Sequence, residues 1–206
     1  MLKDIFIRLV NKHAPDSSIA EKLWAEVEKH YTASKRYYHN LQHLQNMYSQ
    51  LEGCREHIKD WDTVMFSLFY HDIIYKATAK DNEEKSALTA IKALTAINYP
   101  KEKIRLCGEQ ILATKSHSLS PDNDTNLFTD ADLSILGSDW ETYLEYSKQV
   151  RKEYAIYPDF MYNPGRKKAL QHFLDMENIF KTPYFKQKFE QQARTNLVAE
   201  IALISY

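Results

Sequence analysis

Trp61-Asp62-Thr63-Val64-Met65-Phe66-Ser67-Leu68-Phe69-Tyr70-His71-Asp72 is a strongly apolar stretch that ends on a histidine and an aspartate. Trp61, Val64, Met65, Leu68 and Phe69 recur at intervals of three and four, the spacing of a helix face rather than the alternation of a strand. Neighbouring helical residues diverge by about 100°, so His71 and Asp72 cannot both face one core. A His and an Asp at the end of so apolar a helix are costly to bring into the interior unless they are paired or coordinated. A divalent cation would reconcile both.

The same periodicity runs outward in both directions. Leu2, Ile5, Phe6, Leu9 and Val10 predict a short first helix that ends at Pro15-Asp16. Ser18 followed by Glu21 fits a capping box for a second, through Ile19, Leu23, Trp24, Val27 and Tyr31. After a polar connector over 32–38, Asn40 is placed to cap a third helix that stops at Gly53. Beyond Asp72, helices are predicted from Asp81-Asn82 through Ile97, and from Ile104 through Leu112. Ser118 to Asn126 reads as a loop, Asp139 opens a long helix toward Tyr157, and Pro158 to Gly165 reads as a break. Two last helices run from about Arg166 to Phe180 and from about Tyr184 to Ile204. Strand patterns bounded by turn signals are missing. The expected fold is all-α, about eight helices in one layered domain over 1–206, with metal-site helices over about 36–137 and C-terminal helices over about 139–206.

Composition removes several classes of function. Only four glycines occur, Gly53, Gly108, Gly137 and Gly165, no two within 25 residues of each other. Loops that cradle phosphate with backbone amides need two or three glycines in a short window, so P-loop and dinucleotide-binding readings fail. Lys plus Arg number 27 against 28 Asp plus Glu, a formal net charge of −1, which lacks the basic footprint of a nucleic-acid binder. No apolar run reaches the roughly 18 residues of a membrane span, and Cys54 and Cys107 have neither metal-motif spacing nor a disulfide pattern. A cytoplasmic protein with reduced thiols is expected.

Three segments concentrate His and Asp: Tyr38-His39-Asn40-Leu41-Gln42-His43, His71-Asp72 and Asp130-Ala131-Asp132. If one helix includes both His39 and His43 they share a face. They can then share a metal, or one can bind it while the other moves protons. A zinc-protease helix needs Glu after the first His, where this chain has Asn40. His43, His71, Asp72 and Asp132 make a set of two nitrogens and two carboxylates, suited to Mn, Fe, Co, Ni or Zn. Asp130 reads equally as a cap of the helix that Asp132 enters.

The order His, then His-Asp, then Asp on successive helices resembles the HD superfamily of metal-dependent phosphohydrolases. Further segments are similar to one branch of predicted hydrolases within it: Arg36-x-Tyr38-His39-x-x-x-His43, Asn82-Glu83-x-x-Ser86-Ala87, Thr114-x-x-His117, Asp130-Ala131-Asp132-Leu133-x-x-Leu136-Gly137 and Arg151-x-Glu153-Tyr154. The first also resembles a motif of cyclic-nucleotide phosphodiesterases, although this chain is short for such a catalytic domain. It also reads His71-Asp72-Ile73-Ile74-Tyr75 in place of their longer continuation.

The resemblance implies an HD-type helical bundle that hydrolyses a small phosphorylated substrate, a phosphomonoester, nucleotide or phosphodiester, with a divalent ion (Mn, Mg, Fe, Co, Ni or Zn). His39 becomes the general acid, and His43, His71, Asp72 and Asp132 the ligands, with Asp72 also orienting the water. Glu83, His117 and Asp130 are candidates for a second metal or for hydrogen bonds to the ligands. Arg36, Arg151, Lys76 and Arg166 are the candidate cations for phosphate, and Arg194 and Asn196 are expected to make internal bonds. Two rivals share the fold: a di-iron centre for oxygen-dependent cleavage, and a scaffold that has lost catalysis.

Overall fold

A computed structural model describes residues 1–15 and 17–204, without the Ser17 side chain. Among these residues all regular structure is helical, ten α-helices and two 3₁₀ turns with no strand, as the three-and-four periodicity requires. The chain divides into two compact units, Met1–Thr129 and Asp130–Tyr206, with the boundary inside one helix.

The first unit holds α1 (Leu2–Asn11), α2 (Ser17–Tyr31), α3 (Leu41–Gly53), α4 (Trp61–Tyr70), α5 (Asn82–Ala96), α6 (Lys101–Ala113) and the start of α7 (Asn123–Leu133). α4 is its centre. Every residue from Thr63 to Tyr70 is buried, which explains why apolar side chains cover more than one face. Phe6 of α1 packs edge-on against Phe69 at 5.0 Å and lies 5.8 Å from Trp24 of α2.

Two buried hydroxyls of α4 are paired with side chains of other segments. Thr63 Oγ1 is 2.8 Å from Tyr99 Oη, and Ser67 Oγ donates to Gln110 Oε1 at 2.6 Å. Asp60 caps the helix through Thr63 N–H, and the buried Asp124 carboxylate accepts from Lys59 and Asp60 N–H at 3.0 and 2.7 Å. Cys54 and Cys107 are free and buried, and burial pushes the Cys107 thiol up to about 12, leaving it unreactive.

The second unit contains the end of α7, a 3₁₀ turn Ser134–Gly137, α8 (Trp140–Glu153), α9 (Asp159–Asp175) and α10 (Pro183–Leu203). The turn lies against α10, where Asn196 Nδ2 donates to the Leu136 and Ser138 carbonyls, each at 2.8 Å. Arg194 caps the end of α9 by donating to Leu174, Met176 and Glu177 carbonyls.

Gly137 fits because it has no side chain: a Cβ there would stand 2.5 Å from Phe189 Cβ and 2.6 Å from the Phe189 carbonyl oxygen. Gly137→Ala is therefore expected to cost about 1–3 kcal/mol through forced displacement of α10. Gly165→Ala, in the exposed face of α9 with nothing within 4 Å of its Cβ, is expected to gain about 0.5–1 kcal/mol. Denaturant melts of the two variants check the opposite signs.

Several boundaries differ from the sequence reading. α2 already includes Ser17, so Ser18 is not in the capping position, and the residue before, Asp16, lies outside the described residues. α7 starts at Asn123, inside the expected loop, because Asp122 accepts from Thr125 N–H at 2.9 Å and caps it. α9 runs through the expected break at Pro158 to Gly165. Pro158 is its cap and Pro164 forfeits only the bond to the Phe160 carbonyl, on an exposed first turn where water can replace it. α8 ends at Glu153 and α9 at Asp175, earlier than periodicity suggests, since arginines bind the carbonyls that follow.

Candidate metal centre

Asn40 begins the site. Its Oδ1 accepts from Gln42 and His43 N–H at 2.8 and 3.4 Å, and its Nδ2 donates to the Tyr37 carbonyl at 2.8 Å, so α3 starts at Leu41 with His43 in its first turn. His39 thus precedes the helix rather than sharing it, yet its ring centroid is 5.9 Å from that of His43. His39 stacks on Tyr75 at 4.0 Å with an interplanar angle of 27°.

α4 delivers His71. It stands at the C-cap, still in helical conformation, and its Nδ1 lies 2.9 Å from the Leu68 carbonyl one turn back. The carbonyl can only accept, so Nδ1 carries the hydrogen and Nε2 of the neutral ring offers a lone pair. That Nε2 is 3.2 Å from His43 Nε2 and 3.1 Å from Asp72 Oδ2. Asp72 Oδ2 also lies 3.9 Å from His43 Nε2 and 4.0 Å from His39 Nε2. The segment after Asp72 is held by Ser86, whose hydroxyl bonds both the N–H and the C=O of Ile74, and by Asn82, which does the same for Lys76.

Three electron-rich atoms therefore converge where a neutral His43 brings at most one hydrogen. A further proton or a cation satisfies them. Charging a ring that is 1% exposed is costly. Two nitrogens each about 2.1 Å from one ion, at an angle of about 90–110°, are about 3.0–3.4 Å apart. The observed 3.2 Å falls within that interval, so the donor set fits a metal. His43 and His71 of the first unit are both buried, and Asp132, in the second, is half-buried on α7.

The remaining predicted residues are placed as follows. Glu83 is half-buried in the first turn of α5. His117 lies four residues beyond the end of α6 with φ of 50°, its N–H donating to the Ala113 carbonyl, and is half-buried. Among the described residues, neither joins His43 and His71 in a group of potential ligands. Asp130 is fully buried in the second unit, accepting from Lys181 and Thr182 N–H and from Thr182 Oγ1, with Lys181 Nζ at 2.8 Å.

The arginines have other partners. Arg151 donates to Asp159 and to the Tyr154 and Tyr157 carbonyls, and Arg166 forms a two-pronged pair with Glu200. Arg36 donates to the carbonyls of His39, Asp72 and Ile73. Lys76 is exposed, four residues beyond Asp72.

Two contributors escape sequence reasoning. Tyr31 Oη accepts from Asp72 N–H at 3.1 Å, and nothing in the sequence links positions so far apart. The Leu68 carbonyl was in principle legible, because a residue three back on a helix presents its C=O to the side chain.

Comparison of the chain with protein families, with curated proteins and with solved structures finds no match. No helix among the described residues is long and apolar enough to cross a membrane.

Proposed function

We propose that the protein is a metal-dependent phosphohydrolase with an HD-type arrangement of helices, acting on a small phosphoric ester. The observation that carries this reading is the approach of His43 Nε2, His71 Nε2 and Asp72 Oδ2, with the His71 hydrogen committed to Leu68. His43, His71, Asp72 and Asp132 hold a divalent cation. The choice of Asp132 rests on helical spacing: Phe128, one turn earlier on α7, meets the His71 ring edge-on at 5.8 Å. A bound cation supplies Lewis acidity and a water acidic enough to attack near neutral pH.

The side chains do the rest. Asp72 orients the nucleophilic water, and His39, held flat against Tyr75, donates the proton that the leaving oxygen needs. Lys76 meets the phosphoryl charge, since its side chain is exposed in the segment that follows Asp72. A cytoplasmic setting fits the two free, buried thiols.

The test is metal analysis of the purified chain, followed by a screen of phosphomonoesters, nucleotides and cyclic nucleotides with Mn, Mg, Co and Ni. Release of phosphate, or opening of the cyclic ester, that chelator abolishes and metal restores is the expected result. Two irons per chain with oxygen consumption would replace hydrolysis by oxygenase chemistry. A chain that binds no metal and turns over nothing would be a scaffold whose histidines share a proton.

A further inference from the structure

Arg36 lies in the connector between α2 and α3, where sequence reasoning assigns it to substrate phosphate. Its guanidinium instead faces the protein's own backbone. Nη1 donates to the His39 carbonyl at 3.1 Å and to the Asp72 carbonyl at 2.6 Å, and Nη2 donates to the Ile73 carbonyl at 2.8 Å. Two aromatic rings lie near the guanidinium: Cζ is 4.9 Å from the Tyr31 centroid and 5.7 Å from that of Tyr75.

Both rings also touch the site directly. Tyr31 accepts the Asp72 N–H, and Tyr75 stacks on His39. The Asp72 residue is thus held at its N–H by Tyr31 and at its C=O by Arg36, which fixes the backbone from which its carboxylate projects. The same Nη1 ties that backbone to the carbonyl of His39.

We infer that Arg36 is a positioning residue, a planar clamp that sets the His39 ring against the Asp72 carboxylate through three main-chain carbonyls. This rests on the phosphohydrolase reading for its consequence in turnover, but the clamp itself is independent of any metal. A guanidinium suits the task because its N–H groups diverge in one plane and reach carbonyls on two chain segments at once. An ammonium carries the same charge at a single point and cannot span them. Three of the five N–H groups are engaged and two aromatic rings lie close to Cζ, which leaves little of the group for a substrate.

Arg36→Lys in the full chain separates the two roles, because it retains the charge and removes the fork. Amide hydrogen exchange at Asp72 and Ile73 and the ring-to-ring nuclear Overhauser contacts of His39 with Tyr75 report the clamp without metal. The Co²⁺ absorption spectrum, kcat, KM and the affinity for inorganic phosphate report its consequence.

A positioning role predicts faster exchange at Asp72, weakened His39–Tyr75 contacts and a changed Co²⁺ spectrum. It also predicts a fall in kcat of about 10²-fold, the scale of a misplacement of about 1 Å, with KM and phosphate affinity held within about twofold. Unchanged exchange and ring contacts in Arg36→Lys would overturn the inference whatever the metal data show. Loss of phosphate affinity with kcat and the spectrum preserved would restore Arg36 to the substrate. Wild-type protein that takes up no Co²⁺ would remove the hydrolase reading, while the exchange and ring-contact data would still decide the clamp.

Discussion

Alanine at His71 or Asp72 is expected to abolish metal binding and hydrolysis together, while alanine at His39 keeps the metal and loses turnover. The asymmetry follows from the geometry. His71 Nε2 and Asp72 Oδ2 are 3.1 Å apart and belong to the converging set, whereas His39 Nε2 stands 4.0 Å from Asp72 and stacks on Tyr75. Removing a ligand from a site of three or four leaves only water on that side, too weak a donor to keep the ion. Removing a proton donor leaves the ion in place and slows the departure of the leaving group by about 10²–10⁴-fold. Metal stoichiometry by mass spectrometry and steady-state kinetics on the same preparations make the comparison. An ion that binds only the folded chain also raises stability, by about 2.7 kcal/mol at a hundred times its dissociation constant, so chelator should lower the wild-type melting temperature and not that of His71→Ala. An active His71→Ala enzyme with unchanged metal content would sink the assignment.

Loss of the Glu200 carboxylate is expected to have the largest effect on stability, about 3–5 kcal/mol for Glu200→Ala. Glu200 of α10 is buried, accepting from Arg166 Nε and Nη2 at 2.8 and 2.9 Å, from Ser147 Oγ at 2.9 Å and from Tyr143 Oη. Burial alone would push this carboxyl upward. The Arg166 bond and charge, with the Tyr143 and Ser147 hydroxyls, outweigh it and hold Glu200 below the ordinary glutamate range. Alanine removes the partner and strands a guanidinium that is itself nearly buried, which is why one deletion costs more than the pair contributes. The double variant Arg166→Met, Glu200→Leu should accordingly be less destabilised than either single alanine variant.

The sign of the pH dependence follows from the same carboxyl. A group held low in the folded state contributes fully above its unfolded value, and that contribution is lost as pH falls through the lower folded one. The stability gap between wild type and Glu200→Gln should therefore shrink between about pH 7 and about pH 3. Denaturant midpoints at the two ends measure it, and a constant gap would show that the Glu200 carboxyl titrates alike in the folded and unfolded chain.

Much of the candidate site is legible in the chain itself. His43, His71 and Asp72 are marked by polar residues at the edge of apolar helices, and Asn40 by its place before one; Asn40 caps α3, and His43 and His71 meet. The arginines are not legible in this way. Arg36, Arg151 and Arg194 all bind backbone carbonyls, and every residue except its side chain looks alike in carbonyl chemistry, so composition gives no hint of the target. Arg194 and Asn196 do make the internal bonds expected of them, but as caps of α9 and of the turn after α7 rather than as part of any site.

Local periodicity and end signals, which depend on residues three or four apart, determine that this chain is all-helical and where His39, His43, His71 and Asp72 stand along it. Tertiary structure alone decides that the helices gather into two units, that Asp130 is consumed by the Lys181-Thr182 backbone, and that Arg36 donates to the carbonyls of His39, Asp72 and Ile73. Those outcomes depend on which distant groups arrive at hydrogen-bonding distance, and a hydrogen bond of about 3 Å is specified by packing that no local pattern encodes.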